Sequence, residues 1–150
     1  MITLQTDCLI LGGGLAGWMA AREAAAAGLK TMLLHDGMGA SPWVHGFNVP
    51  VYPEDSADIF LQDTLASGQG LSDPALARAL CQDAAEVFDE IRAMGLSFNR
   101  EKDGSYQALR PLGASWPRVV SIGNETGAAI LTRLKEMLKG SVTELPATRA

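Results

Sequence analysis

Three glycines near the amino terminus have the spacing of a phosphate-binding turn. Gly12, Gly14 and Gly17 form the pattern G-x-G-x-x-G between a short apolar run and an alanine-rich segment. In such a turn the first glycine allows a tight bend, the second lets backbone approach a pyrophosphate, and the third lets a helix lie close to the sheet. The diphosphate then sits at the positive end of the helix. The alternative is a glycine turn in an ordinary strand–helix–strand crossover.

The flanking sequence supplies the strand–turn–helix–strand context that this pattern needs. Residues 8–11 have the length of a buried strand, the alanine-rich stretch predicts a helix ending near Gly28, and residues 31–34 predict a second strand. An acidic residue, Asp36, follows that strand, near where dinucleotide-binding proteins place a ribose-binding carboxylate. The sequence therefore predicts a Rossmann-like α/β fold with a βαβ unit that binds a dinucleotide.

The rest of the sequence predicts a helical insertion followed by a third parallel strand. We divide the single predicted domain into residues 1–36 for the βαβ fingerprint, 37–53 for an apolar loop, 54–140 for the insertion and 141–150 for the third strand. The insertion is expected to hold helices near 56–67, 74–94 and 124–140, a small β-hairpin with strands at 96–98 and 105–109, and an irregular stretch at 110–122. Because such a sheet normally has more strands, we expect an incomplete domain with an open edge that favours association.

Composition and charge exclude several classes of function. The 150-residue chain has a net charge of −5 and no run of Lys or Arg, so nucleic acid and anionic membrane surfaces are poor partners. Cys8 and Cys81 lack metal-ligand spacing and are expected to be reduced thiols. No apolar run is long enough to cross a membrane, and no signal-peptide pattern is present. We expect a soluble, cytoplasmic protein.

The order of these segments resembles the flavoproteins of the succinate dehydrogenase and fumarate reductase family, and most of all its L-aspartate oxidase members. The matching stretches are DCLILGGGLAGWMAAREAAAAGLKTMLLHDG, GASPWVHGFNV, EDSADIFLQDTLASGQGLSDPALARAL, GLSFNREKDG and SWPRVVSIGNETGAAILTRL. They cover nearly the whole chain. Since family members are several hundred residues long, the resemblance is to their N-terminal segment only.

The resemblance implies that the dinucleotide is FAD and assigns its contacts by position. The implied cofactor-binding residues are Gly12, Gly13, Gly14, Leu15, Ala16, Gly17, His35, Asp36, Ser41, His45 and Gly46. His35 stands where the family has the ribose-binding Glu, and His45 stands where Gln is usual. Ala40 stands where covalent members carry a flavin-linked His, so a non-covalent cofactor is expected. Phe47 replaces a family glycine near the flavin.

No catalytic residue can be assigned, because the substrate-binding His and Arg residues of the family lie beyond residue 150. The resemblance implies the FAD-binding part of an oxidoreductase acting on a small carboxylate, completed by a missing region or a partner subunit. Two alternatives stay open: a non-catalytic, truncated or split FAD-binding subunit that needs a partner chain, and an NAD(P)-binding Rossmann domain. Structural roles without a cofactor contact also remain open: His35 as an exposed strand-end residue, His45 as a solvent-facing or backbone-capping loop residue, and Arg118 as a helix-anchoring or surface residue.

Overall fold

The structure is a computed structural model that describes residues 3–148. The outermost residues of the predicted segments 1–36 and 141–150 therefore lie outside the described part. The chain divides into two compact units, one formed by Met1–Val44 with Glu125–Ala150 and one by His45–Asn124.

Eleven elements follow one another along the described residues. They are β1 (Cys8–Leu11), α1 (Leu15–Ala26), β2 (Thr31–Leu34), a 3-10 helix (Ser41–Trp43), β3 (Phe47–Asn48), α2 (Ala57–Ser67), α3 (Pro74–Ala93), β4 (Ala108–Leu109), β5 (Val119–Val120), α4 (Thr126–Met137) and β6 (Val142–Leu145). The α/β fold class, the parallel sheet, the helical insertion and the third strand are thus confirmed.

The first unit is built on a three-stranded parallel sheet with the order β1-β2-β6. The central strand β2 pairs with β1 on one side and with β6 on the other, and its first three residues are buried. Helix α1 packs on β1 and β2, and α4 packs on α1. The core of this unit consists of Trp18, Ala21, Met32, Leu33, Ile130, Leu131, Leu134 and Leu138. Because β2 is central, its carboxyl end lies beside those of β1 and β6.

The second unit combines the packed helix pair α2 and α3 with a small antiparallel sheet of order β3-β5-β4. The predicted helix starts are confirmed, since the Ser56 hydroxyl accepts from the N–H of Ile59 and the Asp73 carboxylate caps α3. Phe88 of α3 forms the centre of an aromatic cluster with Phe98, at 4.8 Å between ring centroids, and Tyr106, at 5.2 Å. The buried face of α3 consists of Ala77, Cys81, Ala84, Phe88 and Ile91.

Two local predictions for the second unit are wrong. Residues 96–98 do not form a strand, and the arms of the small hairpin are joined around the expected turn by the Arg100–Tyr106 bridge and by backbone hydrogen bonds from Glu101 to Ser105 and from Gln107 to Asn99. The stretch expected to be irregular contains β5, the middle strand of the small sheet. The reason is long-range pairing: the N–H of Asn99 donates to the carbonyl of Ser121, so backbone from the predicted hairpin pairs with a distant segment.

Candidate functional site

The glycine turn between β1 and α1 has the close contacts that its sequence predicts. Gly12 has φ +118°, a left-handed conformation that favours glycine, and its N–H donates to the carbonyl of Leu34. A Cβ on Gly17 would lie 1.9 Å from the Gly12 carbonyl oxygen, so α1 can approach the turn only without a side chain there. The outer glycines of the motif are therefore required by backbone geometry.

The N-terminus of α1 presents backbone donors. Its N-cap residue, Gly14, provides no side-chain cap, and the N–H of Leu15 donates to the Ser41 hydroxyl at 2.9 Å. The next two N–H groups, those of Ala16 and Gly17, donate to no acceptor within residues 3–148. Unpaired donors at a helix N-terminus favour an anion. The arrangement suits a diphosphate.

Ser41 is held in place by α4. Its 3-10 helix packs on that helix, where the N–H of Gly127 donates to the carbonyl of Val44 at 2.8 Å. A Cβ on Gly127 would lie 1.9 Å from the Ser41 carbonyl oxygen. Gly127 thus permits the close approach that places the Ser41 hydroxyl at the start of α1. The sequence offered only the Thr126-Gly127 start of a helix as a signal for this role.

His35 is buried at the end of β2, with both ring nitrogens engaged inside the unit. Nδ1 accepts from the N–H of Gly37 at 3.1 Å, and Nε2 lies 2.9 Å from Oε1 of Glu144. Glu144 also accepts from Lys135 Nζ at 2.8 Å. Burial raises the pKa of Glu144, but the hydrogen bonds from Lys135 and His35 and the positive charge of Lys135 outweigh burial and lower it. The exposed strand-end alternative for His35 is therefore wrong.

Gly13, which lies between the motif positions, packs directly on this histidine. A Cβ on Gly13 would lie 2.6 Å from His35 Cγ and 2.8 Å from the Gly37 carbonyl oxygen. The residue is buried and cannot carry a side chain unless the ring or the Gly37 turn shifts. The middle glycine of the run Gly12-Gly13-Gly14 is therefore explained by its packing on His35, which is not part of the G-x-G-x-x-G motif.

A cavity of about 420 Å³ lies at the carboxyl ends of β1 and β2. Its lining comes from the glycine turn, the end of β2, the following turn and the segment after β6, through Leu11, Gly12, Leu34, His35, Asp36, Gly37, Gly39 and Thr148. Asp36 is exposed at this cavity, whereas His35 is buried behind it. Parallel α/β sheets bind ligands in the crevice outside the carboxyl ends of their strands. This cavity is the candidate nucleotide site.

The remaining predicted site residues, His45 and Gly46, lie in the second unit. His45 Nδ1 is 3.1 Å from the carbonyl oxygen of Asn124, and the residue is exposed. A Cβ on Gly46 would lie 2.2 Å from Val119 Cγ1, so this glycine is required by packing against β5. Contacts of His45 and Gly46 with a flavin stay predictions.

The second unit contains a buried charge cluster of Arg118, Asp55 and Asp63 that the sequence patterns do not predict. Arg118 is 1% exposed and binds Asp55 with two hydrogen bonds and Asp63 with one. Burial lowers the pKa of Arg118, but both carboxylates outweigh it and raise the value. The helix-anchoring interpretation of Arg118 is confirmed, because Asp55 lies just before α2 and Asp63 lies within it. No group of three or more His, Cys, Asp or Glu residues suited to a metal occurs among the described residues.

The fold and the glycine turn define a dinucleotide-binding α/β protein of the Rossmann type. A family model described as "FAD binding domain" matches residues 7–150. The chain therefore belongs to the FAD-binding domain family, whose cofactor is FAD, and the general NAD(P)-binding alternative is wrong.

Relatives of known identity agree with this assignment. The chain is 32% identical over 141 residues to one of the subunits of the fumarate reductase (CoM/CoB) of Methanothermobacter marburgensis, covering 88% of this chain and 26% of that protein. It is 31% identical over 137 residues to the chloroplastic L-aspartate oxidase of Arabidopsis thaliana, covering 89% of this chain and 21% of that protein. The chain thus spans about a quarter of the length of such relatives. The resemblance to fumarate reductase and L-aspartate oxidase flavoproteins is confirmed.

Solved structures confirm the fold. The FrdA protein of E. coli quinol fumarate reductase superposes with a TM-score of 0.88 at 23% identity, covering 98% of this chain and 26% of that one. Mycobacterium smegmatis Sdh1 in complex with UQ1 gives a TM-score of 0.84 at 23% identity, covering 96% of this chain and 28% of that one. In residues 3–148 no helix is long and apolar enough to span a membrane.

The residues of the first unit fit the cofactor of the family. The N–H groups of Ala16 and Gly17 donate to no acceptor within residues 3–148, and the cavity at the ends of β1 and β2 is lined by Gly12 and Asp36. A diphosphate and a ribose need these two kinds of partner, backbone donors and a carboxylate acceptor.

Proposed function

We propose that this chain binds FAD without a covalent link, with the diphosphate at residues 12–17 and the adenosine ribose at Asp36. The observation that carries the proposal is the pair of N–H groups at the start of α1 that lack an acceptor within residues 3–148, beside a cavity at the strand ends. Family membership supplies the identity of the dinucleotide. Gly12, Gly13, Gly14, Leu15, Ala16 and Gly17 form the wall against which the diphosphate lies.

Asp36, and not His35, is the ribose ligand in this proposal. A ribose-binding acid accepts hydrogen bonds from the sugar hydroxyls. The His35 ring already accepts from Gly37 and contacts Glu144, so it has no nitrogen left for a sugar. Asp36 is exposed at the cavity and carries a carboxylate. His35 therefore belongs to the site through Gly37 and not through direct contact.

The remaining contacts concern the flavin end of the cofactor. Ser41 lies at the start of α1, and Ala40 offers no nucleophile for a covalent bond to the ring. We also propose that His45 and Gly46 lie near the isoalloxazine, as the resemblance to the family implies. When bound, FAD supplies hydride-transfer chemistry, while the protein binds and orients it. We also propose that the chain is divided into the βαβ fingerprint at 1–36, the loop near the flavin at 37–53, the insertion at 54–140 and the third strand at 141–150.

We further propose that the complete protein is a flavin-dependent oxidoreductase acting on a small carboxylate. Support comes from the fumarate reductase and L-aspartate oxidase relatives, of which this chain matches about a quarter. The substrate-binding groups would then come from a further segment or from a partner chain. The second candidate is a non-catalytic FAD-binding subunit of a split protein, which would contain the cofactor-binding segment of these relatives and need a partner chain.

The test is cofactor uptake by the purified chain. After incubation with FAD and gel filtration, we expect protein-bound absorption near ~450 nm, and Asp36→Asn should weaken binding about tenfold or more because a charge-assisted pair is lost. Asp83→Asn, an exposed acid on α3, is the matched control and should bind as the wild type does. A folded chain that retains no flavin would refute the proposal. Adding the missing region or partner and assaying reduction of a dicarboxylate distinguishes the enzyme from the non-catalytic subunit.

A further inference from the structure

The protonation state of His35 follows from its partners. The N–H of Gly37 can donate to Nδ1 only if that nitrogen carries no proton, and the distance is 3.1 Å. The single ring proton is then on Nε2, which donates to Glu144 at 2.9 Å. The ring is therefore neutral in this arrangement. Nδ1 accepts the hydrogen bond from Gly37, and Nε2 donates the one to Glu144.

The ring has no room to rearrange. Its side chain is 7% exposed, and the backbone of Gly13 lies against it, since an added Cβ there would come within 2.6 Å of Cγ. Glu144 is itself fixed by Lys135. Within residues 3–148, the hydrogen-bond partner of Nδ1 is the N–H of Gly37. Gly37 follows Asp36 and lines the same cavity.

We propose that His35 is a positioning residue of the cofactor site: its neutral ring holds the Gly37 turn, and with it Asp36, against the nucleotide cavity, and protonation of the ring releases the turn. This inference rests on the proposed binding of FAD. The imidazolium would point a second N–H at the Gly37 N–H, so the hydrogen bond is replaced by a contact between two donors. Acidification should therefore weaken FAD binding by a structural route.

The charged groups near the His35 ring lie on β6, on α4 and on the turn that follows β2. Glu144 on β6 contacts Nε2 directly, Lys135 on α4 reaches the ring through Glu144, and Asp36 is the next residue on the turn itself. The turn 12–14 contributes only glycine backbone. Glu144 and Lys135 form an ion pair whose charges offset one another, and the lowered pKa of Glu144 keeps that carboxylate ionised at neutral and mildly acidic pH.

Two substitutions separate the two contacts of the ring. His35→Asn places an amide oxygen near the position of Nδ1, so it can still accept from Gly37 but cannot reach Glu144. His35→Gln places an amide nitrogen near the position of Nε2, so it keeps the Glu144 contact and loses the acceptor at Gly37. Neither side chain titrates. The dissociation constant of FAD is measured for all three chains from about pH 5.5 to about pH 8.5, with unfolding midpoints at each pH.

The two variants are expected to differ in their affinity for FAD and in how that affinity depends on pH. Wild-type affinity should fall on acidification, at most about tenfold per pH unit for one proton. His35→Asn should bind near the wild-type level at neutral pH with a flat profile, and His35→Gln should bind more weakly at every pH although it folds. Equal affinity of His35→Gln and the wild type, or a wild-type pH profile in His35→Asn, would overturn the proposal. A side chain needed only for packing would change the unfolding midpoints of both variants and leave their affinities alike.

A readout on the free chain separates this proposal from the FAD assignment. Nitrogen-15 spectra of the His35 ring should show the neutral form protonated on Nε2, and hydrogen exchange at the Gly37 amide should accelerate when the ring protonates. If the chain takes up no FAD but shows these signatures, the proposed function fails and the coupling between His35 and the turn stands. A neutral ring protonated on Nδ1, or exchange that ignores ring protonation, would refute the coupling itself.

Discussion

Arg118 and Asp55 form a two-fold hydrogen-bonded ion pair inside the second unit, with 2.6 Å between Nε and Oδ2 and 2.7 Å between Nη2 and Oδ1. Both side chains are essentially inaccessible to solvent, at 1% and 0% exposure. The Arg118 guanidinium also lies 4.9 Å from the Phe60 ring centre. Since Asp55 precedes α2 and Arg118 precedes β5, the pair fixes the start of the helix to the small sheet.

Replacing Asp55 with Asn should destabilise the chain by about 3 kcal/mol, because a buried guanidinium loses its charged partner. The value is at the low end of the range for buried pairs, since Asp63 remains bound to Arg118. Urea unfolding measures it. Asp58→Asn, which removes an exposed acid lying 3.9 Å from Arg78, is the control and should change stability by less than about 0.5 kcal/mol. Similar losses for the two variants would contradict the structural role of the pair.

Asp63 should make stability depend on acidity. Burial raises the pKa of Asp63, but hydrogen bonds from Ser115 and Arg118 outweigh it and set the pKa below the ordinary value of 3.8. A carboxyl group with a lowered folded-state pKa contributes stability that is fully present above its unfolded-state pKa and is lost as the pH falls through the folded-state pKa. The wild type should therefore lose stability below about pH 4. In Asp63→Asn this part of the profile should be absent in urea titrations, whereas Asp83→Asn should retain it.

Gly127→Ala should displace the 3-10 helix from α4. The new methyl group would lie 1.9 Å from the Ser41 carbonyl oxygen, and forced overpacking of this kind costs about 1–3 kcal/mol. Thermal unfolding reports the loss, and weaker FAD binding should accompany it because Ser41 moves. Thr132→Ala, exposed on the same helix, should leave both properties unchanged. A fully stable Gly127→Ala chain would show that the segment adapts freely.

Ser41→Ala removes the acceptor for the N–H of Leu15 at the start of α1. Loss of such a cap costs about 1 kcal/mol. Ser41→Thr keeps the hydroxyl and should recover most of the stability measured by thermal unfolding. If the two variants unfold at the same temperature, the hydroxyl contributes nothing and the effect belongs to packing.

Local sequence was sufficient for the elements that depend on neighbouring residues. The strand Cys8–Leu11, the helix after Gly14 and the start of α3 at Pro74 follow from apolar runs, glycine spacing and helix-start residues, all within a few positions of one another. The fingerprint and the third strand rest on the same short-range patterns, and the family resemblance rests on the order of such segments along nearly the whole chain. Ala40 indicates directly that a linking histidine is absent from its position.

The tertiary structure decided the contacts between residues far apart in the chain. His35 contacts Glu144, Gly13 packs on His35, and Gly127 allows the close approach of Ser41. Each of these contacts depends on strand order and helix packing. The predicted strand at 96–98 failed for the same reason, because Asn99 pairs with Ser121. A short apolar segment does not determine which distant segment it pairs with. The sequence could therefore predict the phosphate-binding turn from local glycine spacing. Only the tertiary structure showed that His35 is buried and that Asp36 lines the cavity.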